Sequence, residues 1–394
     1  MDEHLRILVL CYEYPPVGGG GGVGAQQYAE AWAAGGHQVS VLTSWDSGLA
    51  RSEEVAGVEV IRVRTFGKKN RATATNLSMF CYLLFGFFHL LFYRRRFRGV
   101  DVINTHFSIP TGPLGFIAEK LLSVPNVLTI IGGDIYDPTK RRSPHRSAFF
   151  RAVNRFIIKA ARLVVAISSD TKKRAQEHYG IKKKIHVINY GFDAPKLKPA
   201  TRAELGLKTD IFYLIAVGRL VARKGFEYLV HALSALPQDV ELLIAGDGPL
   251  HDELTLAAKN AGVSDRVTLL GYLPRHRVLA HLQAADCFVL SSIHEGLGIV
   301  VQEAMCVGRP IVSTNDGGQV DLVKERRNGL LVPPADAESL ASAIHEVYSD
   351  QALAVEMANN NKQDILRCRM SVNSNEYISL FKAATATRPK LAAQ

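Results

Sequence analysis

The chain has 394 residues, of which 47% are hydrophobic and 21% are charged. This composition is that of a globular protein, and the length favours two domains of about 200 residues each over a single core. The net charge of +10 is unevenly distributed, because residues 1–200 hold 28 Lys and Arg against 15 Asp and Glu, whereas residues 201–394 hold 19 against 22. The basic first half predicts an anionic partner, either a membrane surface or nucleic acid.

The N-terminus and the cysteines favour a cytoplasmic location. The chain opens with acidic residues and only a short apolar run, so no secretory signal is predicted. Its five cysteines are scattered and form no C-x-x-C pair. We expect reduced thiols in the core rather than a disulfide framework or a structural zinc site.

The first elements form a βαβ unit with a glycine-rich turn. Residues 5–11 and 38–43 read as strands, and residues 25–34 read as a helix. Between the first strand and the helix lie five consecutive glycines, residues 18–22, followed by Val23 and Gly24. We interpret this run as a flexible loop whose backbone can approach a diphosphate.

The same glycines leave a second interpretation open. Gly19, Gly21 and Gly24 satisfy the pattern G-x-G-x-x-G, although a run of glycines matches it almost automatically. A dinucleotide fingerprint also needs an acid after the second strand, and Asp46 is close to that place. An NAD-dependent oxidoreductase therefore stays as an alternative.

An apolar stretch at residues 79–93 is followed by four arginines within residues 94–98. It is shorter than the ~20 residues that span a bilayer. It is either a helix between the sheet and solvent, or a helix whose Phe side chains enter one leaflet while the arginines bind headgroups. Further basic stretches at residues 140–142, 172–174 and 182–184 favour the membrane. They lack interleaved aromatic residues, so nucleic acid is not expected.

Four more strands, at residues 100–104, 126–131, 163–167 and 185–188, alternate with helices and complete a doubly wound α/β domain. Ligands of such domains gather at the carboxyl ends of the strands. His106, placed in a loop, and Asp134 follow two of these strands. His106 is either an ordinary core or surface residue or part of a site.

A second domain follows a predicted linker at residues 194–200, so the domains are expected at 1–198 and 199–371. Its first strand, at residues 212–217, runs into a G-R-L-x-x-x-K-G segment that holds Gly218, Arg219 and Lys224. Two cations on one short loop suit a diphosphate without a metal. A solvated basic turn is the alternative.

The most informative segment is residues 285–314, which read as strand, loop, helix and strand. Glu295 lies in the loop and Glu303 in the helix, eight positions apart. Gly296 and Gly298 would leave the N–H groups of the helix N-terminus open to a phosphate. Carboxylates on both sides of a phosphate suit hydroxyl groups, so we expect a nucleoside diphosphate sugar. The alternative is that both acids only favour the helix start electrostatically.

The segment resembles the E-x7-E signature of the retaining glycosyltransferases of family four, which have the GT-B fold. The resemblance rests on Glu295-Gly-Leu-Gly, Glu303-Ala-Met, Gly308-x-Pro and Asp316-Gly-Gly. The family usually has Phe at the position of Leu297. It often has Glu at Asp321, and His at Ile131 on the acceptor side.

The resemblance implies two Rossmann-like domains facing across a cleft, with a C-terminal helix at about residues 372–388 packing back on the first domain. It assigns Arg219 and Lys224 to the diphosphate and places His106 near the donor sugar. In the mechanism that we expect, Glu303 accepts hydrogen bonds from the ribose hydroxyls and Glu295 accepts them from the sugar hydroxyls. The predicted catalytic residues are Glu295, Arg219, Lys224 and His106; the donor-binding residues are Gly19, Gly218, Gly248, Tyr272, Leu273, Gly296, Leu297, Gly298 and Glu303; Asp134 is predicted on the acceptor side.

The predicted function is transfer of a hexose-type sugar from a UDP- or GDP-sugar to a lipid-linked or glycan acceptor, with retention, in cell-surface polysaccharide or glycolipid synthesis. No D-x-D occurs in the sequence, so neither a metal nor a further cofactor is expected. The expected partners are the nucleotide sugar, the acceptor and an anionic membrane, on whose inner face this cytoplasmic enzyme would work. A non-catalytic membrane-binding module is a further alternative.

Overall fold

The computed structural model describes residues 4–68, 74–141, 143–193 and 200–386. The predicted linker lies outside the described residues except for Ala200, as does Arg142 of one basic stretch. The chain divides into two compact units: unit 1 comprises Met1–Tyr136, Arg142–Gly191 and Arg369–Gln394, and unit 2 comprises Asp137–Arg141 and Phe192–Cys368.

The sheet of unit 1 has eight strands among the described residues. They are β1 (Arg6–Leu10), β2 (Gln38–Ser44), β3 (Ser52–Val55), β4 (Val58–Val63), β5 (Val102–His106), β6 (Asn126–Ile130), β7 (Leu163–Ala166) and β8 (His186–Val187). Their order in the sheet is β3-β4-β2-β1-β5-β6-β7-β8. All neighbours are parallel except β3 and β4, an antiparallel hairpin that the sequence interpretation missed.

Both faces of this sheet are covered by helices. They are α1 (Gly20–Ala34), α2 (Asn76–Phe92), α3 (Gly112–Leu122), α4 (Ala148–Ala160) and α5 (Ser169–Tyr179). Residues paired in register between parallel strands point to the same face. Leu8 pairs with Ile103 and Thr105 pairs with Leu128, so these residues share one face. Helices α2 and α3 pack on its first part, and helices α4 and α5 pack on its second part.

Unit 2 has a six-stranded sheet among the described residues, and its strands are all parallel. They are β9 (Phe212–Val217), β10 (Val240–Ala245), β11 (Val267–Gly271), β12 (Cys287–Leu290), β13 (Ile311–Thr314) and β14 (Leu330–Val332), in the order β11-β10-β9-β12-β13-β14. The helices are α6 (Phe226–Leu233), α7 (His251–Asn260), α8 (Arg275–Ala284), α9 (Ile299–Cys306), α10 (Ala337–Ser349) and α11 (Gln351–Asp364). Continuous apolar strands such as β9 are buried on both faces.

The last helix, α12 (Met370–Ala386), belongs to unit 1. Its Tyr377 and Phe381 are fully buried and contact Trp32 of α1 edge to face. The hydroxyl of Tyr377 lies 3.1 Å from Thr129 Oγ1 on β6. Helices α1 and α12 therefore cover the face of the sheet opposite to α2–α5. The two units confirm the predicted fold class, a pair of Rossmann-like parallel sheets.

None of the helices in the described part of the chain combines the length and the hydropathy that crossing a bilayer requires.

Candidate active site

Three loops meet at the carboxyl edge of the sheet in unit 2. Strands β9, β12 and β13 are neighbours and parallel, so the loops that follow them emerge side by side. Backbone hydrogen bonds fasten these loops together. Ile293 N donates to Arg223 O at 2.8 Å, and Gly318 N donates to Glu295 O at 2.8 Å. The loop that carries Glu295 is therefore held between the other two.

The carboxylate of Glu295 is held by two cations. Lys224 Nζ lies 2.5 Å from Oε2, and Arg223 Nη1 lies 3.0 Å from Oε1. Glu295 is only 9% exposed, and burial alone would raise its pKa. The charges and hydrogen bonds of Lys224 and Arg223 outweigh burial and hold the pKa well below the usual range. Glu295 is therefore an anion with both oxygens engaged.

Arg223 was missed by the sequence interpretation. Its guanidinium also donates to His294 O at 2.9 Å, and its Nε lies 4.0 Å from Asp137 Oδ2. Arg223 thus fixes the backbone as well as the side chain of the Glu295 loop. Its position next to Lys224 could have indicated this role. Adjacent side chains of a loop often point in different directions, however, so the sequence alone did not show that both cations reach Glu295.

Arg219 and Lys224 lie on the same loop in different environments. Arg219 is exposed, whereas the Lys224 ammonium is nearly buried against Glu295. Gly218 has φ +156°, and a Cβ there would lie 2.8 Å from Lys224 Cε. A side chain at Gly218 would therefore displace Lys224. At Gly248 an added Cβ would lie 2.5 Å from Leu220 O, so this glycine allows two loops to pack closely.

Helix α9 begins immediately after the Glu295 loop. Gly298 is its N-cap, with φ +88°, a conformation that glycine adopts without strain. Leu297 is buried, so Leu fills the core at the position where the family usually has Phe. Gly296 N donates to Glu295 Oε1 at 3.3 Å. The first N–H groups of α9 have no acceptor within the helix, which makes this end electropositive.

Glu303 is also paired with a cation, Arg275. Arg275 Nε lies 2.9 Å from Glu303 Oε1, and its guanidinium stacks over the ring of Phe192 at 5.3 Å. Burial raises the pKa of Glu303, and Arg275 opposes this shift. Arg275 was not singled out in the sequence, because it opens α8, far from the motif along the chain.

Tyr272 and Leu273 follow β11. The Tyr272 side chain is 80% exposed, and Leu273 is half-buried. Both follow the strand that lies two places from β9 in the sheet. Their donor-binding role stays a prediction.

In unit 1, His106 is the last residue of β5 rather than a loop residue. It is fully buried, and within the described residues neither ring nitrogen has a hydrogen-bond partner. Burial lowers its pKa to about 3, so the imidazole is neutral. The sequence interpretation placed His106 in a loop because it ended the strand at residue 104. The strand continues through the polar residues Thr105 and His106.

Asp134 is buried beneath two loops of unit 1. Its carboxylate accepts N–H bonds from Ser108 at 2.6 Å, Ile131 at 3.0 Å and Gly132 at 2.9 Å. Burial raises its pKa to about 6, although these bonds oppose the shift. Asp134 therefore fixes the loops after β5 and β6, and its acceptor-side role stays a prediction.

The predicted flexible glycine loop is mostly helix. Helix α1 starts at Gly20, with Gly19 as its N-cap, and Gly19 N donates to Glu13 Oε2 at 3.0 Å. Added Cβ atoms at Gly21 and Gly24 would overlap the rings of Phe107 and Tyr190. The absence of a side chain at these two glycines lets the aromatic rings pack against the helix. Close packing, rather than flexibility, therefore explains them, and it accounts for them without a bound dinucleotide.

No group of three His, Cys, Asp or Glu side chains in the described part of the chain could hold a metal ion. All five cysteines have free thiols, and four of them are buried.

Two parallel-sheet Rossmann-like units, with a cation-held glutamate and a helix N-terminus at one sheet edge, define a glycosyltransferase of the GT-B type. The profile of "Glycosyltransferase Family 4" matches residues 18–195, and that of "Glycosyl transferases group 1" matches residues 198–364. The chain belongs to glycosyltransferase family 4, which confirms the predicted family and enzyme class.

Proteins of similar sequence and fold agree with this assignment. The chain is 31% identical over 378 residues to a glycogen synthase of Mycobacterium tuberculosis, covering 91% of this chain and 90% of that protein. It is 31% identical over 279 residues to the UDP-Gal:alpha-D-GlcNAc-diphosphoundecaprenol alpha-1,3-galactosyltransferase of Escherichia coli, covering 68% and 70%. Sucrose-phosphate synthase of Thermosynechococcus elongatus shares the fold, with a TM-score of 0.86, 24% identity, and coverage of 97% of this chain and 100% of that chain.

Proposed function

We propose that this enzyme transfers a hexose-type sugar, with retention and without a metal, from a UDP- or GDP-sugar to a lipid-linked or glycan acceptor. The observation that carries the proposal is the pairing of Glu295 with Lys224 and Arg223 beside the N-terminus of α9. This arrangement puts positive charge and a fixed carboxylate at one sheet edge, as a diphosphate joined to a sugar requires.

The diphosphate is the leaving group, and it gains negative charge as the bond to the sugar breaks. Arg219 is exposed on the loop after β9, and Lys224 lies on the same loop. The N–H groups of the first turn of α9 add fixed positive dipoles. Together these groups supply the electrostatic stabilisation that a divalent metal provides in other transferases.

The state of Glu295 supports retention through a single-face reaction. Its pKa lies well below the usual range, and Lys224 and Arg223 occupy its oxygens, so it is a poor proton acceptor and a poor nucleophile. In the proposed step the bond from the anomeric carbon to the diphosphate oxygen breaks, and the acceptor hydroxyl oxygen bonds to that carbon on the same face. The acceptor proton goes to a diphosphate oxygen. Glu295 then orients the sugar hydroxyls, and Glu303 accepts from the ribose hydroxyls.

The acceptor and the setting are proposed from the relatives and from the charge of the first half of the chain. The Escherichia coli relative uses UDP-galactose and an acceptor attached to diphosphoundecaprenol. Lys and Arg outnumber Asp and Glu by 28 to 15 in residues 1–200, which suits an anionic membrane surface. We place the reaction at the inner face of the membrane in cell-surface polysaccharide or glycolipid synthesis.

A donor panel tests this function directly. The protein is incubated with UDP- and GDP-hexoses and a diphosphoundecaprenol-linked sugar, and release of nucleoside diphosphate and product is measured. We expect one donor to be consumed, the donor's anomeric configuration to appear in the product by NMR, and the rate to persist in EDTA. Inverted configuration or loss of activity in EDTA would contradict the mechanism.

A further inference from the structure

Helix α2 exposes apolar side chains on the side that faces away from its sheet. Its buried residues include Cys81, Tyr82, Gly86 and Leu90, and Tyr82 donates its hydroxyl hydrogen to Leu42 O at 3.0 Å. A surface helix ordinarily has polar residues on the opposite side. Here that side carries a stripe of exposed apolar residues at spacings of three and four: Leu77, Phe80, Leu84, Phe88 and Leu91.

Cations lie at the C-terminal end of this stripe. Phe92 is 73% exposed, and the short 3-10 helix Arg94–Phe97 follows it. Phe97 is buried, and Arg96 pairs with Glu59 of β4 at 2.6 Å, so this turn is fastened to the sheet. Arg94, Arg95 and Arg98 are exposed around it.

Helix α4 shows the same combination of exposed Phe and basic residues. Phe149 is 70% exposed and Phe156 is 53% exposed, whereas Ile157 and Ile158 are buried against the sheet. Exposed basic residues are interleaved with the two phenylalanines along the helix: Arg151, Arg155 and Lys159. The sequence interpretation did not single out this helix.

The exposed sides of α2 and α4 belong to one side of unit 1. Both helices pack on the sheet face that contains Leu8, Ile103 and Leu128, as the strand register requires. Helix α3 lies between them: a Cβ at Gly86 of α2 would meet Leu114 at 2.7 Å, and Phe116 contacts Phe156 with ring centroids 5.0 Å apart.

We propose that this side of unit 1, which we call the α2–α4 face, docks on an anionic phospholipid bilayer. The face is defined by Phe80, Leu84, Phe88, Phe92, Phe149 and Phe156 with Arg94, Arg95, Arg98, Arg151, Arg155 and Lys159. Aromatic and aliphatic side chains enter the upper acyl region, and the arginine and lysine groups reach lipid phosphates.

The chemistry of the face selects the bilayer over other occupants. An apolar surface edged with cations complements the acyl region and the anionic headgroups of a leaflet, which lie a few ångströms apart. A second copy of the chain would bring like charges together around the same patch, which is unfavourable. Helix α2 has 17 residues, fewer than the ~20 needed to span, so it lies along the surface. This inference deepens the proposed function, because it names where the enzyme meets the membrane of its acceptor.

The test measures binding of the full chain to vesicles without donor or acceptor. Sedimentation with phosphatidylglycerol and phosphatidylcholine vesicles is compared with pure phosphatidylcholine. Phe80→Ser with Phe88→Ser removes the centre of the α2 stripe, and Arg94→Glu with Arg95→Glu reverses the charge at its end. The matched controls change exposed residues of unit 2: Leu256→Ser with Val355→Ser, and Lys259→Glu with Arg367→Glu.

We expect both face variants to partition into the anionic vesicles at least tenfold more weakly than the wild type, and both controls to partition as the wild type does. We also expect the wild type to lose binding in pure phosphatidylcholine or at high salt. Equal partition of the face variants and wild type would overturn the inference. It would also be overturned if the face variants lost only a dimer by light scattering, since the face would then bind a second copy. Transfer to a soluble acceptor is measured in parallel. Vesicle binding without transfer contradicts only the proposed function, and transfer without vesicle binding contradicts only this inference.

Discussion

Glu295→Gln is the most informative single substitution in unit 2. It removes one negative charge and keeps the shape of the side chain, so Lys224 and Arg223 lose the anion that lies 2.5 and 3.0 Å away. The remaining nearby carboxylate is Asp137, 4.0 Å from Arg223. Removing one partner of a buried ion pair costs about 3–5 kcal/mol. We therefore expect the free energy required to open the loops after β9 and β12 to fall by this amount.

Hydrogen exchange measured by mass spectrometry reports this loss locally, in peptides from residues 219–225 and 286–298. Tryptophan fluorescence would miss it, because Trp32 and Trp45, the two tryptophans of the chain, lie in unit 1. The matched control is Glu253→Gln, which changes an exposed residue of α7. Unchanged protection in Glu295→Gln would refute the assignment of Glu295 as the carboxylate that holds the two loops.

Glu295→Gln also distinguishes binding of the nucleoside diphosphate from binding of the sugar. Lys224, Arg223 and Arg219 keep their charges, so we expect UDP or GDP to bind as tightly as before or more tightly. Transfer should fall by about 10- to 100-fold, because a charge-assisted contact to the sugar is lost. If nucleotide binding disappears together with transfer, Glu295 is needed for the diphosphate site itself and the proposed division of roles is wrong.

Three further predictions concern the ribose, the buried histidine and the packed glycine. Glu303→Gln should weaken UDP or GDP by about tenfold but leave the 2′,3′-dideoxy nucleotide unaffected in calorimetry, because only ribose hydroxyls reach Glu303; equal losses would contradict this role. His106 has a pKa of about 3 in the folded protein, whereas a histidine in the unfolded chain has a pKa of about 6.5, so the unfolded chain binds the extra proton and stability falls as the pH drops below about 6.5. Between pH 7 and pH 5, urea unfolding followed by tryptophan fluorescence should show a loss about 2 kcal/mol greater for the wild type than for His106→Asn, and parallel losses would contradict the burial of a neutral imidazole. Gly24→Ala should destabilise unit 1 by about 1–3 kcal/mol through overlap with a ring, whereas Gly133→Ala, which meets nothing within 4 Å, should be neutral in the same assay; equal effects would show that the packing is not the reason for the glycine.

Much of the fold could be predicted because long parallel strands are apolar runs separated by helices. Strand β9 and strand β13 lie where the apolar residues place them. The hairpin of β3 and β4 was missed, since Ser52–Val55 is a polar edge strand with no such run. The glycine run was interpreted by composition as flexible, whereas close packing of two aromatic rings explains Gly21 and Gly24.

Site residues could be predicted from the sequence only where they belong to a motif, that is, where particular residue types occur at a fixed spacing. Glu295 and Lys224 belong to such motifs, but their mutual contact joins loops after two different strands. Partners recruited from elsewhere, such as Arg275 for Glu303, depend on tertiary packing and leave no local pattern. Because Glu295 and Lys224 form a buried pair, Glu295→Ala and Lys224→Ala would lower stability as well as transfer. Of the two cations predicted on the loop after β9, the exposed Arg219 therefore best suits a purely functional test.

The central claim is that the loop after β9 binds a nucleoside diphosphate through its phosphates, and Arg219→Ala tests it most directly. Calorimetry compares UDP and GDP with uridine and guanosine for the wild type, Arg219→Ala and the exposed unit 2 control Lys259→Ala. The account predicts that Arg219→Ala weakens the preferred diphosphate by about 10- to 100-fold and leaves the nucleoside unchanged. An unchanged diphosphate affinity, or an equal loss for the nucleoside, would contradict it.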